Sequence, residues 1–87
     1  MSQTIKMTVK YFASIREAIG ISFETVVCEV DTVGALRDAL VAKGTPYAEV
    51  LARGRSVRTA LNQVMCEEAT LLQDGCEVAF FPPVTGG

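Results

Sequence analysis

The run Val78-Ala79-Phe80-Phe81-Pro82-Pro83 fixes where the sheet of this chain must stop. An apolar strand runs into two prolines, which have no N–H to give to a ladder, so pairing ends at Phe81. Their locked φ makes the exit stiff and extended, close to polyproline II. Val84-Thr85-Gly86-Gly87 follow. The two glycines lack a Cβ, so their backbone can pass through a gap closed to any side chain. The reading is a domain over residues 1–81 and an extended tail over 82–87, with a reactive carboxylate on Gly87. A frayed terminus is the ordinary alternative. The Phe-Phe-Pro-Pro exit favours the functional reading.

Upstream, Ile5 to Tyr11 alternates apolar and polar residues, which predicts a half-buried strand. Ser14 and Glu17 have capping-box spacing, and Gly20 is a stop signal, so a short helix is expected over 14–19. Phe23 to Val30 reads as a second strand, with Val26-Val27 breaking the alternation through a bulge or through cover on both faces. Asp31 or Thr32 can cap the main helix. Val33, Leu36 and Leu40 repeat at helical spacing, Arg37 and Lys43 are expected to face away, and Gly44 closes it. Tyr47 to Leu51 suits another short helix. Val57 to Leu61 and Val64 to Cys66 suit strands around an Asn62-Gln63 turn, and Asp74-Gly75 marks the turn into the last strand. The fold class is α+β: a mixed sheet with one main helix packed across it and a flexible Gly-Gly tail. A β-grasp roll, with the last strand central, fits this order.

With 87 residues the chain suits one domain, and 49% hydrophobic residues are enough for a core. A net charge of −2 argues against nucleic acid, whose binders carry a basic excess. No stretch has the length or apolarity of a signal peptide core or a membrane span, so neither is expected. Three cysteines, Cys28, Cys66 and Cys76, match no zinc spacing, and their odd count fits poorly with a disulfide framework. A reducing cytoplasmic setting is the simplest expectation.

The candidate chemistry narrows quickly. A persulfide on a cysteine is outweighed by the usual behaviour of Cys as a small buried hydrophobe. There is no histidine, the commonest general base. Arg53, Arg55 and Arg58 form a basic loop that a phosphate could use, though such clusters are more often solvated. Glu67, Glu68, Asp74 and Glu77 read as a solvated acidic edge near the tail. What remains is the C-terminal carboxylate. It is a poor electrophile until ATP converts it into an acyl-adenylate, and sulfur attack then gives a nucleophilic thiocarboxylate. The chain supplies no base, metal or phosphate cradle for this, so activating enzymes must catalyse it.

The segment from Asp74 to Gly87, Asp-Gly-Cys-Glu-Val-Ala-Phe-Phe-Pro-Pro-Val-Thr-Gly-Gly, resembles the ending of the molybdopterin synthase small-subunit family of ubiquitin-like sulfur carriers. Cys76 departs from the usual acidic residue there. Arg16-Glu17 with Gly20, Thr32-Val33 with Leu36, and Leu61-Asn62 are weaker landmarks. The resemblance implies a β-grasp fold, adenylation and thiocarboxylation of Gly87 by an ATP-dependent activating enzyme, and sulfur donation to cyclic pyranopterin monophosphate in molybdenum cofactor biosynthesis. It implies no cofactor bound by this chain, with ATP used by the activating enzyme. The implied partner is the large subunit, in a heterotetramer, with Pro82, Pro83, Val84, Thr85 and Gly86 threading into its active site. Alternation places Phe80 in the core and Phe81 on the partner surface. The alternatives are a carrier for thiamine or tRNA thiolation, an interaction module, and a protein modifier.

Overall fold

Strand β1 (Thr4–Tyr11) buries Ile5, Met7, Val9 and Tyr11 on one face, the alternation its sequence demands. The computed structural model describes residues 4–83, so Val84, Thr85, Gly86 and Gly87 lie outside the described residues. Strand β2 (Phe23–Glu29) pairs antiparallel with β1 in one unbroken register, from Thr4 opposite Glu29 to Lys10 opposite Phe23. The irregularity expected at Val26-Val27 is therefore absent. Val26 is buried and Val27 is 59% exposed. The outer face of the sheet is simply left open there, with an apolar residue on it.

Helix α1 (Ala13–Ile19) joins these strands, and its start differs from the expected one. Phe12 is the N-cap, no side chain caps the helix, and Ser14 is already inside the first turn. Tertiary contacts set this start. The Phe12 N–H donates to the Phe80 carbonyl at 3.1 Å, while its own carbonyl accepts from Ile15 at 3.2 Å and Arg16 at 3.3 Å. Ala13 bends left-handed at φ 52°, a conformation that Cβ disfavours. Gly20 ends the helix at φ 94° and donates to the Arg16 carbonyl, as its residue type predicts.

Helix α2 (Val33–Val41) is capped by Thr32, whose hydroxyl accepts from the Ala35 N–H at 3.1 Å. Val33, Leu36 and Leu40 enter the core together with Met7, Val9, Val78 and Phe80. Arg37 does not face away: it is 4% exposed. Its guanidinium donates to the carbonyls of Leu51 (2.5 Å), Ala52 (2.6 Å) and Arg55 (2.9 Å), and pairs with Glu68. Glu68 also pairs with Arg53, which grips Asp38 through two bonds of 2.7 and 2.9 Å. The short helix α3 (Tyr47–Leu51) and the loop after it are thus tied to α2 through their carbonyls. Gly34 lets the far segment approach. Its N–H donates to the Glu68 carbonyl at 2.8 Å, and a Cβ on it would sit 3.2 Å from that oxygen.

Strands β3 (Arg58–Leu61) and β4 (Val64–Cys66) form a hairpin around Asn62-Gln63, at φ 49° and 70°. Two positive φ values give the primed turn whose twist matches the strands. The Asp74-Gly75 turn then leads into β5 (Glu77–Phe81): Gly75 has φ 85°, and Asp74 Oδ1 accepts from the Lys6 N–H at 2.8 Å. The sheet order is β2-β1-β5-β3-β4, with β5 parallel to β1 and antiparallel to β3. This is a β-grasp roll with its last strand central, and the core lies between the sheet and α2.

Candidate functional site: the root of the tail

Strand β5 is gripped from both sides up to Phe80, and on one side up to its last residue. Tyr11 pairs with Phe80 on one side, and Arg58 with Phe81 on the other. Phe80 is fully buried, and its ring lies nearly parallel to that of Tyr11, centroids 6.4 Å apart. The Tyr11 hydroxyl donates to Glu24 Oε2 at 2.6 Å, and the Tyr47 hydroxyl donates to the same oxygen at 2.7 Å. Burial first, then the bond to the Glu24 carboxylate, pushes the Tyr47 pKa up to about 12 and that of Tyr11 in the same direction. Both hydroxyls therefore stay protonated as donors at neutral pH. The arm leaves the sheet from this rigid anchor.

Phe81 points to the opposite, outer face, as the alternation of a strand requires. It is half-buried and meets the ring of Phe12 edge-on, 6.4 Å between centroids and 85° between planes. The registers place further residues on this face. Phe23, Lys10, Ala79, Ala60 and Met65 form one row across all five strands. Phe23 and Met65 at its ends are largely exposed, the two alanines make its centre flat, and Lys10 pairs with Glu77 at 3.5 Å. A flat surface with aromatic side chains at the strand exit suits protein docking.

Pro82 and Pro83 are half-buried. Pro82 borders a cleft of about 300 Å³ whose other walls include Ser14 and Ile15 of α1 and Arg55 and Ser56 of the loop held by Arg37. The remaining tail residues named from the sequence, including Gly87, lie outside the described residues.

Sequence distance misleads about charge at this site. Arg58 is far from the tail in sequence yet sits directly across from Phe81. The acidic residues closer in sequence are elsewhere or engaged: Glu68 is held by Arg37 and Arg53, and Asp74 and Glu77 sit at the far end of β5. Only strand pairing brings Arg58 to the exit, and no local sequence signal announces it. The basic loop also divides. Arg53 is tied to Asp38 and Glu68, while Arg55 and Arg58 join no ion pair among the described residues.

The cysteines occupy structural positions. Cys76 is buried, and the Cys66 thiol lies 3.5 Å from the Thr59 hydroxyl. Burial pushes the Cys28 thiol up, away from the thiolate that nucleophilic sulfur requires. Among the described residues no helix is long and apolar enough to cross a membrane.

The ThiS family profile matches residues 9–87. Two curated relatives are each named molybdopterin synthase sulfur carrier subunit. The one from Escherichia coli is 42% identical, over 91% of this chain and 96% of its own. The one from Haemophilus influenzae is 37% identical, over 93% and 99%. Among solved structures, a complex of subunits 1 and 2 of the molybdopterin-converting factor from Helicobacter pylori contains a similar chain. It is 26% identical, covers 95% of this chain and 100% of that one, and has a TM-score of 0.64. The small archaeal modifier protein 1 of H. volcanii is 29% identical, with coverage of 92% and 99% and a TM-score of 0.75.

Proposed function

The chain belongs to the ThiS family, and within it to the molybdopterin synthase sulfur carrier subunits; from that premise we propose how its fold performs the task. The carboxylate of Gly87 is adenylated by an ATP-dependent activating enzyme and exchanged for a thiocarboxylate. The thiocarboxylate sulfur then attacks cyclic pyranopterin monophosphate in the active site of a large subunit. Within the heterotetramer this chain is the sulfur donor, and the partners supply the catalysis. The observation that carries the reading is the strand exit itself. A central strand pinned on both sides ends in Phe81, followed at once by two prolines.

Each part of the root then has a role. The buried Phe80 fixes the direction of the exit. Pro82 and Pro83 keep the arm extended, which lowers the entropy lost when it enters a channel. The outer face around Phe81 and Phe12 rests against the large subunit. Lysine or arginine side chains at the bottom of the large-subunit pocket hold the two anions of the reaction, the thiocarboxylate and the substrate phosphate. The three unpaired cysteines support a cytoplasmic setting.

The fold also supports a modifier reading, because the archaeal modifier protein shares it. The higher identity to the curated carriers favours the carrier. Intact-mass analysis of protein from native cells separates the two. A carrier shows one oxygen of Gly87 exchanged for sulfur, and co-purifies with a large subunit. A modifier appears as conjugates to lysines of other proteins. Adding one unprocessed residue after Gly87 should abolish sulfur transfer and leave the fold intact; full product formation from such a protein overturns the tail mechanism.

A further inference from the structure

We propose that Arg16, Arg55 and Arg58 form a cationic collar around the root of the tail, and that this collar recognises carboxylates on the rim of the large-subunit channel. The proposal rests on the carrier reading above and adds the chemistry of the partner surface. Three elements contribute one guanidinium each. Arg58 begins β3 directly opposite Phe81. Arg55 lines the cleft that Pro82 borders. Arg16 of α1 lines a second cleft with Lys10, Phe12 and Phe23, and Phe12 is the ring that meets Phe81.

All three are exposed, and none joins an ion pair among the described residues. The carboxylates of the same region do not neutralise them. Glu24 is taken up by two tyrosines, and Glu17, Glu49 and Glu67 lie beyond ion-pair distance of all three. Other arginines of this chain are satisfied: Arg37 and Arg53 each make four bonds to carbonyl and carboxylate groups. The unsatisfied ones gather at one place, where the chain must meet its partner.

Reach decides what they meet. From Phe81 to Gly87 is six residues, about 20 Å when extended. An arginine at the root cannot touch a phosphate that reacts at the tail tip. It can only touch the mouth of the channel. Three unpaired guanidiniums set against the channel mouth would be left uncompensated unless its rim carried the opposite sign. Guanidinium forks match carboxylates in a bidentate way, so Asp or Glu side chains on the rim complete the pairing. The opposite end of the sheet carries Glu29 and Asp74. The unpaired guanidiniums are thus concentrated where the tail leaves, and such a patch favours tail-first encounter with an acidic rim.

The test is association of the full-length chain with its large subunit, followed by stopped flow across a salt series. The double variant Arg55→Glu/Arg58→Glu should associate about tenfold more slowly at low salt, with a flattened salt dependence. Lys6→Glu, a reversal at the far end of the sheet, is the control for net charge against the single variant Arg58→Glu, which changes the charge by the same amount, and should slow association far less than that variant does. Melting curves check the fold, and Arg55→Gln/Arg58→Gln gives a smaller effect of the same sign should the reversal destabilise the domain. Unchanged rates, faster association, or equal slowing by Lys6→Glu overturns the collar while leaving the carrier reading in place. A wild-type chain that does not bind the large subunit at all overturns the carrier reading, and the collar with it.

Discussion

Replacing Arg37 by Met tests whether the clasp under α2 holds the domain together. Met keeps most of the side-chain length and fills the buried space, so the loss is chiefly polar. The guanidinium gives up three bonds to carbonyls and its pair with Glu68. The Arg55 carbonyl belongs to an exposed residue, so water can replace that bond. Glu68 keeps Arg53 and is not orphaned. That leaves the carbonyls of Leu51, a fully buried residue, and Ala52. Hydrogen bonds from a charged donor contribute about 1.5–3 kcal/mol each, so two of them place the cost at about 3–6 kcal/mol. A domain of this size has roughly 4–13 kcal/mol in total. At about 4–8 °C per kcal/mol, the melting temperature should fall by roughly 12–48 °C. Urea titration and thermal melts measure both quantities. Arg53→Met is the control, since its guanidinium is half exposed and its main partner Asp38 is exposed, so its melting temperature should stay near wild type. If Arg37→Met melts with wild type, or if the two variants fall equally, the clasp does not carry the stability assigned to it.

Phe80→Ala should cost about 3–5 kcal/mol of stability, whereas Phe81→Ala should lose affinity for the large subunit before it loses stability; melts and binding titrations on both variants decide this, and the reverse order rejects the face assignment. Gly34→Ala should destabilise despite better helix propensity, because the added methyl meets the Glu68 carbonyl; a raised urea midpoint would show that the neighbouring segment yields. The tyrosine pair predicts alkaline loss. A raised folded-state pKa means the folded protein keeps protons that the unfolded chain gives up, so this contribution is complete below the ordinary tyrosine pKa of about 10 and declines as pH rises toward about 12. Tyr47→Phe should show a shallower loss of stability over that range in urea titrations.

Elements whose signals are local were legible in the sequence. The alternation of β1, the Gly20 stop, the Thr32 cap, the Asn62-Gln63 and Asp74-Gly75 turns, and the opposite faces of Phe80 and Phe81 all depend on near neighbours in the chain. The misses share the other origin. Ser14 and Glu17 have the right spacing for a cap, but Phe12, held by the Phe80 carbonyl, starts the helix earlier. Arg37 has the look of a solvated helix residue, and only the carbonyls of α3 and the following loop explain its burial. The position of Arg58 beside the tail arises from strand pairing alone. The Gly-Gly end lies outside the described residues, and its reading rests on covalent structure rather than on packing.

The sheet order has a consequence for biosynthesis. The β1–β2 and β3–β4 hairpins do not pair with each other; β5 lies between them and pairs with both. It follows both hairpins in chain order, so during translation each emerges with an open edge and waits. Such edges are where strands of other chains add. A product cut short before Glu77 lacks the strand that closes the gap, leaves the inner edges of both halves unpaired, and is exposed to proteolysis. A folded copy has therefore been synthesised into β5, the strand that leads to the two prolines. The central strand is thus the last piece of the sheet to be made and the one that joins its two halves.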